Sequence, residues 1–182
     1  VIALRDRLRG GGLTDRAGDI DVPAAVADVI HRVTERGDDA LIDCTERFEG
    51  VRLAPDRIRV SAEDIAAAHA AADAEFLGII RRAAENIRAY QRAILTPDPP
   101  PLHRDGRLLG ARYTPMDRVG VYVPGGKAVY PSTVLMTVVP AQVAGVGQIA
   151  MVSPPTGGDV SDMVLALAGE LGVDEVYRVT GT

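Results

Sequence analysis

The chain has 182 residues, 47% of them hydrophobic and 25% charged, so it is long enough to bury the core of an ordinary globular protein. Twenty basic and 25 acidic side chains give a net charge of −5, which argues against a dedicated nucleic-acid binder. The single cysteine, Cys44, excludes an internal disulfide framework and a cysteine-rich zinc module. With no apolar run of about 18 residues and no visible secretory leader, we expect no membrane contact and a cytoplasmic location.

The first half of the chain is predicted to be mainly helical. A short amphipathic stretch covers residues 1–9 and ends at a glycine triplet. Asp21 as an N-cap, with proline in the first turn, predicts a helix over 23–36. Another helix follows from Asp38 and closes at Gly50. Its inward residues are expected to be Leu41, Ile42, Thr45 and Phe48.

The next segments alternate between a short strand and two helices. Residues 57–60 alternate in polarity and favour a strand. Ser61 with an acidic residue three positions later predicts the start of an alanine-rich helix. A long helix is expected over 73–95, with its apolar residues on one face. Four prolines within 97–101 then favour an extended, stiff connector.

The second half of the chain predicts a strand–helix alternation. Strands are expected at 107–114 and 118–123, and Ser132 is expected to cap a helix that runs to about Gly145. A strand over 148–152, a helix from Asp159 to about Leu171 and a strand over 175–179 follow. Such an alternation is typical of a parallel sheet with crossover helices.

The predicted fold class is therefore α/β, with an N-terminal helical segment and an incomplete Rossmann-like βαβαβ unit. The expected divisions are a helical segment at 1–96, a proline-rich connector at 97–106 and the α/β domain at 107–182. A sheet edge exposed after Val179 would need covering, most simply by a partner chain.

Two loops rich in glycine and proline leave the carboxyl ends of predicted strands, where ligands of parallel sheets gather. They are Pro124-Gly125-Gly126-Lys127 and Ser153-Pro154-Pro155-Thr156-Gly157-Gly158. Their free N–H groups are compatible with a nucleotide or phosphate cradle, and equally with two ordinary turns. A P-loop would need glycine at position 121 and a hydroxyl residue at 128, where the chain has Val121 and Ala128. The dinucleotide fingerprint G-x-G-x-x-G is absent as well.

Few other residues suggest chemistry. Tyr122 at the end of its strand could stack on a ligand or pack beneath the loop. His31, His69 and His103 lie in three separate segments, which favours solvated or packed histidines over a metal site. Cys44 is best interpreted as a small buried residue, and Ser132 and Ser153 have no base placed near them by the sequence.

A block over residues 118–155 resembles the histidinol dehydrogenase family. Its segments are R-V-G-V-Y-V-P-G-G at 118–126, Y-P-S-T-V-L-M at 130–136, V-P-A at 139–141 and S-P-P at 153–155. The resemblance extends upstream to R-G-D-D-A-L at 36–41 and covers nearly the whole chain.

The resemblance implies a homodimeric, zinc-dependent enzyme that oxidises L-histidinol to L-histidine with NAD. It implies incomplete Rossmann-type domains, and it maps the family's NAD-contacting tyrosine onto Tyr122, in the same turn as Pro124, Gly125 and Gly126. The family's zinc ligands and its Glu-His acid–base pair lie downstream of the matched part, and none maps onto this sequence. Lys127 occupies a variable family position.

Three hypotheses follow from these observations. The chain is the NAD-side, N-terminal portion of a histidinol dehydrogenase, inactive on histidinol by itself. Alternatively, it is a short homologue without the chemistry, serving as a binding or assembly module. A dehydrogenase for another amino alcohol is the third, because the substrate residues do not map onto the chain.

Overall fold

A computed structural model describes residues 21–125 and 130–180. The helices are α1 (Val22–Arg36), α2 (Asp38–Glu49), α3 (Ala62–Ala71), α4 (Ala74–Ile94), α5 (Pro131–Val143) and α6 (Asp162–Glu170). The strands are β1 (Leu102–Arg104), β2 (Arg107–Leu109), β3 (Arg118–Tyr122), β4 (Gln148–Val152) and β5 (Glu175–Tyr177). The amphipathic stretch predicted at 1–9 lies outside the described residues.

Local capping explains where several of the helices begin and end. The Asp21 carboxylate accepts the Ala24 N–H at 3.1 Å, and the Ser61 hydroxyl accepts the Asp64 N–H at 3.0 Å, as predicted. Gly50 closes α2 in the left-handed conformation, with φ of 70°. None of the helices in the described ranges combines the length and apolar character needed to cross a bilayer.

The predicted parallel βαβαβ unit is confirmed. Its sheet has the order β3–β4–β5, and α5 and α6 connect the successive strands. The register places Tyr122 opposite Val152 and Val152 opposite Tyr177, so the carboxyl ends of the strands meet at one edge.

The first face of the sheet carries the main hydrophobic core. Val121, Met151 and Val176 of the three strands pack there with residues of α5 and α6, such as Val138 and Leu167. Helices α3 and α4 join the same cluster through Ile65, Ile80 and Ala84. The helical segment and the sheet thus share one core, and the three-part division of the chain remains a prediction.

The second face of the sheet is covered by α2 and the segment after it, toward β5. A smaller cluster joins Ile42, Leu53, Ile58 and Val179, with Val152 and Tyr177 packed against it. Cys44 is buried in α2, as expected. Phe48 was expected inward, which is wrong: it is 44% exposed, and the Arg47 guanidinium lies 5.2 Å from its ring centre.

The outer edge of β5 is paired within the chain. The Val60 N–H donates to the Val176 carbonyl at 2.9 Å, and the Arg178 N–H donates to the Ile58 carbonyl at 2.8 Å. Residues 57–60 are therefore not the regular strand that was predicted, but a 3₁₀ turn at Pro55–Arg57 followed by a single antiparallel bridge at Arg59. The expectation that this edge needs a partner chain is wrong where residues 58–60 cover it.

Residues 96–115 include a two-stranded arm, which follows the proline-rich residues 97–101. Strands β1 and β2 pair antiparallel, with Leu102 opposite Leu109, so the strand predicted over 107–114 is reduced to Arg107–Leu109. The Tyr113 N–H donates to the Asp98 carboxylate at 2.7 Å and holds the base of the arm. Every residue from 92 to 118 is exposed.

Three element boundaries in the α/β unit differ from the prediction. Helix α5 begins at Pro131, whose fixed φ suits the first helical position, so Tyr130 is the N-cap and Ser132 is not. Helix α6 begins at Asp162 instead of 159, because a turn joins the Thr156 N–H to the Asp159 carbonyl at 2.8 Å. Strand β5 ends at Tyr177 instead of 179, and the Tyr177 carbonyl accepts the Ser153 N–H at 3.0 Å.

Candidate functional site

The candidate site lies where β3, β4 and β5 end. The first loop leaves β3 at Val123, and only its residues 123–125 and 130 are described, so Gly126 and Lys127 lie outside the described residues. The second loop, residues 153–159, leaves β4 for α6. The Val123 N–H donates to the Val152 carbonyl at 2.8 Å, so a backbone hydrogen bond joins the start of the first loop to the end of β4.

Tyr122 is placed on the open part of the second sheet face. Side chains alternate along a strand, so its neighbours Val121 and Val123 are buried on the first face. The Tyr122 side chain is 48% exposed. The ring therefore stands at the carboxyl end of β3, accessible to a ligand.

A groove of about 410 Å³ lies beside Tyr122. Its lining residues are Leu41, Gly120, Val121, Tyr122, Val152, Val179 and Thr180. None of these residues is charged, and most are apolar. The groove therefore suits an uncharged planar group better than a phosphate, which requires N–H donors or cations.

Gly125 brings the two loops together. A Cβ atom at this position would lie 2.7 Å from the Pro154 carbonyl oxygen, closer than real Cβ contacts. Pro124 and Gly125 are both half-buried. Glycine is thus required here by the approach of the second loop.

The second loop is held by a buried arginine that sequence reasoning missed. Arg178, only 1% exposed, donates from Nε to the Asp159 carboxylate at 2.5 Å. Its Nη1 donates to the carbonyls of Arg57 and Arg59 at 2.9 and 3.1 Å, and its Nη2 donates to the Asp64 carboxylate at 3.2 Å. The signal available in the sequence was a single arginine between apolar residues at the end of the last strand.

The other candidates for chemistry are not brought together. His31 lies 3.3 Å from Glu35 on α1, His69 hydrogen-bonds Glu170 at 2.9 Å, and His103 is on the arm. Ser153 is buried and does not line the groove. Within residues 21–125 and 130–180, no group of three or more His, Cys, Asp or Glu could hold a metal ion.

Two carboxylates with shifted pKa values stabilise the fold away from the groove. The Arg81 guanidinium, with help from His69, lowers the pKa of Glu170, which binds α3 and α4 to the end of α6. The Tyr177 hydroxyl, with Arg118, lowers the pKa of Glu175 at the amino ends of the strands. Both shifts come from ion pairs and hydrogen bonds at helix or strand ends, which indicates a structural function.

Comparison with known proteins identifies close relatives. The family model for histidinol dehydrogenase matches residues 14–182. A histidinol dehydrogenase of Geobacillus kaustophilus is 49% identical over 97% of this chain and 42% of its own length. One of Caulobacter vibrioides is 49% identical over 91% of this chain and 38% of its own length.

The fold has a solved counterpart. The crystal structure of histidinol dehydrogenase from Elizabethkingia anophelis matches with a TM-score of 0.79 at 30% identity. The match covers 88% of this chain and 37% of that one. The chain therefore spans about two fifths of the length of these relatives.

Proposed function

Because this chain belongs to the histidinol dehydrogenase family, we propose that it forms the NAD-side part of an enzyme that oxidises L-histidinol to L-histidine in histidine biosynthesis. The observation that carries this proposal is the position of Tyr122. It stands half-exposed at the carboxyl end of β3, above an uncharged groove and beside the Pro124-Gly125 turn. Ligands of parallel sheets bind at this edge.

The described residues fit part of a dinucleotide. Tyr122 can stack on a planar ring or donate a hydrogen bond from its hydroxyl, and Gly120 leaves room beside it because nothing lies within 4 Å of a Cβ placed there. Pro124 and Gly125 set the path of the turn, and we propose Gly126, which lies outside the described residues, as a further NAD-binding position from the family motif alone. Bound NAD would supply the acceptor for the hydride that leaves the alcohol carbon of the substrate.

The described residues do not fit a zinc site, and we route no step through a metal in this chain. The groups that could polarise histidinol and take its hydroxyl proton are not assembled around the groove, whose lining contains no ionisable group except the Tyr122 phenol. We propose that the zinc ligands and the acid–base pair belong to the part of the relatives' length that this chain does not cover. The chain alone is then expected to bind NAD without turning over histidinol.

The test is NAD binding to the chain measured by titration calorimetry. Tyr122→Ala removes the ring and is expected to weaken binding by about tenfold, the value of one aromatic stacking contact. Tyr122→Phe retains most of the affinity if stacking dominates. The matched control is Tyr90→Ala, which removes an exposed tyrosine on α4, far from the groove.

Two outcomes would contradict the proposal. One is the absence of NAD binding by a folded chain, and the other is an equal loss of affinity in Tyr122→Ala and Tyr90→Ala. Separately, turnover of histidinol by this chain with NAD and zinc would contradict its expected inactivity.

A second function, an assembly module without chemistry, is favoured by the exposed arm. Leu102, Leu108 and Leu109 of the arm are more than half exposed, and a two-stranded hairpin is only marginally stable alone in water. Dimerisation seen by light scattering, together with a lack of NAD binding, would favour this function. Under either function we propose that the protein is a cytoplasmic homodimer. The identity of the amino alcohol substrate is tested only with a chain that contains the substrate-binding residues.

A further inference from the structure

We propose that Arg178 is the positioning residue of the candidate site. It fixes both the second loop, which supports the Pro124-Gly125 turn, and the wall of the groove at Val179 and Thr180. The proposal rests on the proposed function for its ligand, but the geometry that carries it is independent of NAD.

The burial of Arg178 makes its contacts obligatory. A guanidinium that is 1% exposed must be neutralised and hydrogen-bonded, since a buried unpaired charge is destabilising. Two half-exposed carboxylates, Asp159 and Asp64, provide the neutralisation, and the carbonyls of Arg57 and Arg59 accept from Nη1. The planar guanidinium group has fixed donor directions, so it sets the relative positions of three chain segments. These are residues 57–59, the start of α3 at Asp64 and the second loop at Asp159.

The first contact, between Arg178 and Asp159, holds the second loop, which packs against the Pro124-Gly125 turn. Asp159 receives Arg178 Nε on the same carboxylate oxygen that accepts the Val160 N–H at 2.8 Å. The Asp159 carbonyl accepts the Thr156 N–H at 2.8 Å, which closes the second loop on itself. The other end of this loop places Pro154 against Gly125.

The second contact is made through the backbone around Arg178, which holds the groove residues Val179 and Thr180. Arg178 immediately precedes Val179 and Thr180, which line the groove. Its own N–H donates to the Ile58 carbonyl at 2.8 Å, and the Thr180 N–H donates to the buried Thr45 hydroxyl at 3.3 Å. The backbone on both sides of Val179 is thus held in place.

Asp64 provides a matched comparison for Asp159. Both carboxylates bind the same guanidinium, and both are about half exposed. Asp64 lies in the first turn of α3, whereas the Asp159 carboxylate lies at the end of the second loop, where it also accepts the Val160 N–H and pairs with Arg57 at 3.3 Å. A purely structural role of Arg178 predicts similar effects from losing either carboxylate, whereas positioning predicts a larger effect from losing Asp159.

The experiment compares Asp159→Ala and Asp64→Ala in the 182-residue chain by amide hydrogen exchange. Positioning predicts that Asp159→Ala accelerates exchange at Thr156 by about tenfold, the value of a hydrogen bond to a charged group. Exchange at Leu171, at the carboxyl end of α6, serves as the reference outside the second loop. Asp64→Ala should leave the ratio of Thr156 to Leu171 exchange unchanged, and Asp159→Asn should restore part of the protection.

NAD affinity, measured on the same variants, separates the two proposals. Weaker NAD binding in Asp159→Ala but not in Asp64→Ala supports positioning. Equal acceleration at Thr156 in both variants, or a loosened loop with unchanged NAD affinity, overturns it. If the parent chain binds no NAD while Asp159→Ala alone loosens the loop, the proposed function fails and the anchoring of the loop by Arg178 stands.

Discussion

The two faces of the sheet differ in how completely they are covered. The first face is buried under α5 and α6, with the Val121, Met151 and Val176 side chains directed into one continuous core. The second face is covered by α2 only toward β5, and at β3 it presents Gly120 and Tyr122 to the groove. The main core therefore lies on one face of the strands, and the candidate site lies on the open part of the other face.

The largest expected effect is the loss of a core side chain on the first face. Leu167→Ala removes a fully buried residue of α6 and should lower the free energy of unfolding by about 2–5 kcal/mol. Chemical denaturation followed by circular dichroism measures it. The control, Met163→Ala on the same helix, removes a partly exposed side chain and should cost clearly less; equal losses would contradict the assignment of the core.

A smaller effect is expected from two glycines at the open side of the sheet. Gly125→Ala places a Cβ against the Pro154 carbonyl and should destabilise the chain by about 1–3 kcal/mol. Gly120→Ala meets nothing within 4 Å and should leave the stability close to wild type, while it narrows the groove. Denaturation midpoints together with NAD titrations measure both effects. A Gly120→Ala variant that loses stability but binds NAD with wild-type affinity would contradict this prediction, because Gly120 would then serve the packing of the sheet and not the groove.

The smallest effect is expected from Glu170, away from both faces. Its folded-state pKa is lowered below the ordinary 4.5 by Arg81 and then His69, so the ionised form stabilises the fold. This contribution is present above the unfolded-state pKa and is lost as the pH falls through the folded-state pKa. Glu170→Gln should therefore lower stability by about 1 kcal/mol at pH 7 and by less near pH 3.

Denaturation at the two pH values measures this difference. Glu85→Gln, on the exposed Glu85–Arg88 pair of α4, is the control and should change little at either pH. A Glu170→Gln deficit that does not shrink in acid would contradict the ion pair as the source of stability.

The sequence predicted the regular parts of the fold well because they depend on local signals. Asp21 and Ser61 cap their helices through hydrogen bonds within three residues, and the apolar runs over 118–122 and 148–152 leave little choice except buried strands. The position of Tyr122 at a strand end, and hence at the ligand edge, followed from the same pattern.

The features that were missed depend on contacts between distant residues. Arg178 reaches Asp64 and the carbonyl of Arg57 across more than one hundred positions, and no local pattern encodes such a pairing. Phe48 has the spacing of an inward residue, yet it is 44% exposed and its ring lies against the Arg47 guanidinium. The closeness of Gly125 to Pro154 likewise depends on the way that two loops meet.

The pairing of residues 58–60 with β5 has a consequence for the order of folding. Its backbone hydrogen bonds join Val60 to Val176 and Ile58 to Arg178, so residues more than one hundred positions apart along the chain must meet. During synthesis, residues 58–60 cannot form these backbone hydrogen bonds until β5 has emerged from the ribosome. Closing so long a loop carries an entropic cost, which makes this step slow relative to helix formation. Strand β5 thus fixes a segment made much earlier in the chain, and the groove beside Tyr122, which Val179 and Thr180 help to line, is complete only when β5 has paired.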